Sequence, residues 1–152
     1  MTRIAILIAP IAALGFTSNA LAQDENPFNE GTVYEISMIH TEANSQEEYF
    51  KRLNMFYVPL MRKAQEQGLI KSFKVLAGGA ANEEDFDVML MVEHASMAMM
   101  DPDPAREAKW DAIEKELTTA MGGDEKRKGL TSGLGEVRDY KGNKLMREML
   151  PK

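Results

Sequence analysis

The 152-residue chain contains no cysteine. That removes disulfide frameworks, thiolate metal sites and thiol nucleophiles together, and with them the cysteine a lipid-anchored bacterial lipoprotein needs. Aromatic residues make up only 7% and include one tryptophan, Trp110; histidine occurs twice, at His40 and His94. G-x-S-x-G, H-E-x-x-H, a phosphate-cradling glycine loop and a dinucleotide fingerprint are all missing, so Gly78-Gly79 and Gly122-Gly123 read as turns. Basic charge is scarce as well. After residue 22 there remain 17 Lys+Arg against 24 Asp+Glu, a net charge of −7, with no basic stripe, which argues against a nucleic-acid partner. The one basic run, Lys126-Arg127-Lys128, lies beside Asp124 and Glu125 and reads as a solvated loop.

What the amino terminus does contain is one early cation, Arg3, an apolar run from Ile4 to Phe16 and the small-x-small triplet Ala20-Leu21-Ala22. This is the pattern of a secretory signal peptide over residues 1–22, cleaved after Ala22. The run is short and interrupted by Pro10, so no membrane association is expected after cleavage. A cysteine-free exported chain of this size fits the periplasm or a secreted fate. Residues 23–31 (QDENPFNEG) are a turn-rich lead-in, and 32–150 are long enough for one domain with its own core.

TVYEISMIHT (32–41) alternates as a strand, with Val33, Glu35, Ser37 and Ile39 on one face and Tyr34, Ile36, Met38 and His40 on the other. Ser45 with Glu48 three residues on predicts a capping box, opening a helix to about Gln67 with Phe50, Leu53, Tyr57, Leu60, Met61 and Ala64 on its apolar face. Pro59 predicts a kink or a local break near Val58, and Gly68 a stop. LIKSFKVLA (69–77) and FDVMLMVE (86–93) read as a hairpin of two strands. Asp103 as N-cap and Pro104 at the first position open a second helix bearing Trp110, Ile113, Leu117 and Met121. GEVRDYKGNKLMREML closes the chain as one bulged strand or two short ones about Gly142-Asn143.

Strand, helix, strand, strand, helix, strand with right-handed crossovers specifies an α+β, ferredoxin-like (βαββαβ) sandwich, four antiparallel strands with both helices on one face. Strands one and three are apolar on both faces, so the helix-free face needs a cover, and a second copy of the chain is the simplest one. The expected partner is therefore the chain itself, in a homodimer joined sheet to sheet. This order, with the third strand ending "VMLMVEH" before "SMAMMD", resembles the dimeric α/β-barrel superfamily, which includes antibiotic-biosynthesis-monooxygenase-like and haem-degrading proteins, over about residues 31–150. Asp101 stands where many such proteins carry a histidine, so no histidine ligand is carried over to that position. The resemblance implies enzymes as well as ligand binders.

Glu35 and Glu93 are carboxylates in otherwise apolar strands; facing a barrel interior they would serve as bases, with His40 a third candidate, and facing Lys71 or Lys74 they would be ion pairs. His40 and His94 close antiparallel neighbours and should lie at opposite ends, which disfavours a site built on both. Methionine supplies 11 of the 130 residues after Ala22, and Met89 and Met91 alternate as strand residues. Thioethers suit copper, with His94 and Met97 as the alternative metal ligands, but they equally fill adaptable cavities. The favoured reading is an exported homodimer binding a small apolar or aromatic molecule through Tyr34, Met38, Phe73, Met89, Met91, His94 and Trp110, with no cofactor required. The alternatives are a cofactor-independent monooxygenase or isomerase using Glu93, Glu35 or His40, and a haem or copper protein.

Overall fold

A computed structural model describes residues 26–152. The expected signal peptide (1–22) and residues 23–25 of the lead-in lie outside the described residues. The elements run β1 (Phe28–Thr41), α1 (Gln46–Met55), α2 (Tyr57–Glu66), β2 (Ser72–Ala77), β3 (Val88–His94), α3 (Pro104–Met121), α4 (Asp124–Ser132) and β4 (Arg138–Pro151), with single 3-10 turns over Met97–Met100 and Gly133–Glu136. The sheet is antiparallel throughout in the order β2-β3-β1-β4. This α+β arrangement is consistent with the ferredoxin-like expectation.

Three local expectations are corrected and a fourth is sharpened: the local break expected near Val58 falls at Phe56 (φ −138°, ψ −54°), so the first helix is two helices. Pro59 has no N–H for the Met55 carbonyl and its ring crowds that carbonyl, so the chain restarts; Pro59 then falls in the first turn of α2, where no N–H is required. The capping box does not form, because Ser45 is itself near-helical (φ −101°, ψ −2°) and Glu48 instead accepts from Arg52 at 3.0 Å. Lys126-Arg127-Lys128 lies in α4, tied down where Arg127 donates to Glu114 (2.9 Å) and stacks 5.4 Å over the Phe56 ring. Leu69 and Ile70 precede β2 and are buried as core residues.

β1 begins at Phe28, inside the 23–31 stretch expected as a lead-in, whereas two further local expectations hold. Asp103 caps α3 by accepting from the backbone of Ala105 (2.9 Å) and Arg106 (3.1 Å), and Gly122 ends it in the left-handed region (φ +99°). β4 is the single bulged strand: its register with β1 steps from Met38–Gly142 to Ile39–Tyr140, leaving Lys141 extra beside Gly142 (φ +136°).

The core lies between sheet and helices. Ile39, Tyr49, Leu53, Val88 and Val137 form one buried cluster, and Met61, Ala64, Leu69, Ile70 and Ile113 another, with Phe73, Val92, Trp110 and Leu117 packed against it. Register then assigns the faces: Val33, Glu35, Ser37 and Ile39 of β1, Val88, Leu90, Val92 and His94 of β3, and Phe73 and Val75 of β2 face the helices. Tyr34, Ile36, Met38, Met89, Met91, Leu76 and Met146 face away, on a side that no helix among the described residues covers. Among the described residues no helix is long and apolar enough to cross a membrane.

Candidate functional site

The helix-covered layer should be apolar, and its exceptions mark the site. Pairing of Val33 with His94 and of Glu35 with Val92 makes Glu35 and His94 diagonal neighbours on that face. His94 Nε2 lies 3.5 Å from Glu35 Oε2, close enough to pair but too long for a well-formed hydrogen bond. His94 is 7% exposed, and among the described residues neither ring nitrogen has a hydrogen-bond partner. The Glu35 side chain, by contrast, is 40% exposed, and its Oε1 accepts from the Asn143 amide at 2.9 Å. The carboxylate is thus gripped on one oxygen, faces an imidazole on the other and still meets solvent.

Tyr57 adds a third polar group to the same layer. The break at Phe56 sets Tyr57 at the start of α2, between both core clusters, with its ring edge-on to Phe73 (6.3 Å between centroids). Its hydroxyl is buried with no hydrogen-bond partner. Burial first, then Tyr49 and the negative charge of Glu35, push its phenol well above the ordinary tyrosine range. The group therefore stays protonated and is a hydrogen-bond donor. Around it, Val92 opposite Glu35, Phe73 opposite Val92, and Trp110 of α3 supply apolar walls. Such surroundings strengthen each electrostatic contact by excluding water.

The sheet divides the residues expected from sequence. Glu35, His94, Phe73 and Trp110 share the helix-covered face, whereas Tyr34, Met38, Met89, Met91, His40 and Glu93 lie on the other. The two glutamates therefore do not share one interior. Glu93 accepts from Ser72 Oγ (2.6 Å) and pairs with Lys71 Nζ (3.1 Å), the ion-pair alternative. The Ser72 bond, with Lys71 assisting against burial, holds its carboxyl below the ordinary glutamate range, opposite to what a raised-pKa base requires. His40 sits at the far end of β1, as expected, where its Nδ1–H donates to the Asp85 carbonyl (2.9 Å).

Nothing assembles the alternative metal ligands. Among the described residues no three His, Asp or Glu side chains are grouped to hold a metal, and the sheet separates Met89 and Met91 from His94. Met97 is exposed on its 3-10 turn. The expectation missed Tyr57, read as one more apolar helix position, and Asn143, read as a turn residue. A hydroxyl on an inward helix position was the only available signal for the first; the second carried none before the β1–β4 register was known.

Compared with known proteins, the chain matches no family model, no curated sequence and no solved structure.

Proposed function

We propose that the chain forms an exported homodimer of α/β-barrel type that binds a small, largely aromatic or apolar molecule between its sheet and its helices. The polar head of that molecule meets Glu35, His94 and Tyr57, and its apolar body lies along Phe73, Val92 and Trp110. One observation carries this reading: in a layer that is otherwise core, the buried His94 imidazole has no hydrogen-bond partner among the described residues and lies 3.5 Å from a solvent-reaching carboxylate, and the buried Tyr57 hydroxyl likewise has none. Unpartnered buried polar groups are rare and costly, so their presence in one layer signals use rather than packing. Export rests on the amino-terminal pattern of Arg3, the Ile4–Phe16 run and Ala20-Leu21-Ala22.

Trp110 is the chain's only tryptophan and stands in this wall, so it reports binding without a label. N-phenyl-1-naphthylamine, an apolar aromatic with one N–H donor, should quench Trp110 emission saturably. Tyr57→Phe and Glu35→Leu should each weaken its affinity about tenfold, the scale of one hydrogen bond to a charged or buried group. Quenching that never saturates, or that both variants leave unchanged, would show that this layer is only core.

A further inference from the structure

We infer that Glu35, with His94 3.5 Å from its carboxylate and the buried Tyr57 hydroxyl in the same layer, transfers protons on carbon acids: the bound molecule carries a C–H next to a carbonyl, as in an enolisable aromatic ketone. The inference rests on the binding reading above and adds a reaction to it.

The three groups differ in a way that divides the labour. Only Glu35 reaches solvent, so only its carboxylate meets an incoming substrate directly; His94 lies behind it, buried. Asn143 fixes one carboxylate oxygen at 2.9 Å and leaves the other toward the imidazole at 3.5 Å. A proton taken by Glu35 therefore has a second basic site within reach. Among the described residues neither His94 nitrogen has a hydrogen-bond partner, and the Glu35 carboxylate is the charge its imidazole faces. Tyr57 supplies the complementary part. It is a buried hydroxyl with a free O–H, kept neutral by its apolar surroundings and by the Glu35 charge, and suited to donate to an oxygen on which negative charge grows.

The step balances without oxidant or cofactor. Glu35 removes the proton from the carbon next to the carbonyl; the C–H electron pair becomes the C=C bond of an enolate, and the carbonyl π pair moves onto oxygen, where Tyr57 donates its hydrogen bond. The proton then returns from Glu35 to the same carbon, which gives exchange, or to a conjugated carbon, which gives an isomer. Val92 and Phe73 give the same face apolar surface for the body of the substrate, while the carboxylate stays open to its entry. Glu35 and Tyr57 are the catalytic residues in this scheme; His94 and Asn143 are positioning residues.

The test uses the full chain with 2-tetralone in D2O, following loss of the α-proton signals by NMR. The protein should accelerate exchange above buffer. Glu35→Gln should reduce the acceleration about 100-fold or more, the usual scale for a general base, and Tyr57→Phe by a similar factor. Both variants are near-isosteric, and an unchanged circular dichroism spectrum and Tm would certify the fold. His94→Gln should leave measurable exchange but lower kcat with KM for 2-tetralone unchanged, a split that a purely structural histidine would not produce. Protein that binds N-phenyl-1-naphthylamine saturably yet exchanges 2-tetralone no faster than buffer overturns proton transfer and leaves the binding reading standing. Failure to bind the naphthylamine overturns both, and exchange that Glu35→Gln leaves intact removes Glu35 as the base.

Discussion

Glu93 shows how one carboxylate's neighbours decide its work. It stands at the end of an apolar strand, as Glu35 stands within one, and alternation marks both as anomalies. What alternation does not reveal is the partner. Glu93 finds Ser72 across the β2–β3 ladder and Lys71 just before it, so it is an ionised structural residue, whereas Glu35 finds a buried imidazole and an amide. The consequence is a pH dependence of known sign. The folded carboxyl of Glu93 titrates below its unfolded value, so its pairing contributes stability above the ordinary glutamate range and loses it as pH falls through the lower folded value. Because the Ser72 bond is the largest cause, Ser72→Ala should raise the Glu93 pKa and move that acid-side loss of stability to higher pH. Carboxyl 13C NMR titration measures it directly; an unmoved Glu93 resonance midpoint would transfer the effect to Lys71. The Glu35–His94 contact was illegible in the sequence for a related reason. It is a diagonal contact set by register, and shifting β3 by one residue would turn His94 to the opposite face.

At the scale of elements, periodicity is informative where burial imposes it and silent where it does not. β1, β3 and α3 carry apolar spacing along their length and were readable, and Asp103 and Gly122 mark the ends of α3 by local chemistry alone. α4 (DEKRKGLTS) has almost no apolar residue, and its helix is held by tertiary partners, Glu114 and Phe56, that lie far away in sequence. The break at Phe56 is the element-scale feature with most bearing on the site, because it rephases the helix and sends Tyr57 inward between the two core clusters. Restoring the missing N–H with Pro59→Ala should let Phe56 join a continuous helix. Ellipticity at 222 nm should then rise by about one to two residues' worth of helix, and naphthylamine affinity should fall about tenfold as Tyr57 leaves its place. Unchanged ellipticity together with unchanged binding would assign the break to the packing of Phe56 beneath Arg127 instead of to the proline.

For the whole molecule the open question is what meets the face that no helix covers. Tyr34, Ile36 and Met38 in β1, Met89 and Met91 in β3, Leu76 in β2 and Met146 in β4 make a contiguous apolar field over all four strands, with Leu76 and Met146 exposed. Charge sits mainly around it: Lys74 and Lys144 lie in register with Met91 and Ile36, and Glu93 and Asp139 stand toward opposite ends. An apolar centre with charges of both signs at its margins suits a twofold pairing, in which the same surface supplies both halves. β1 and β4 also continue past the end of β3, pairing from Phe28–Pro151 inward, and the exposed Leu150, which alternation puts on the Met146 face of β4, lengthens the apolar strip. Sheet-to-sheet packing would bury the field from water at about 25 cal/mol per Å2 of apolar area, less the cost of association, and the pairing would leave the Glu35 site on the far side of each sheet. Met91 lies near the centre of the field, between Lys74 and Ile36 in register, and is half-buried in the isolated chain. Met91→Glu should therefore leave the fold intact, placing its charge where a single chain keeps it hydrated, but bury two like charges wherever two chains meet there. By sedimentation velocity the natural chain should run at twice its sequence mass and the variant at the sequence mass, with Trp110 quenching by the naphthylamine preserved because the sheet separates the two faces. A variant that still sediments as a dimer would move the interface off this face.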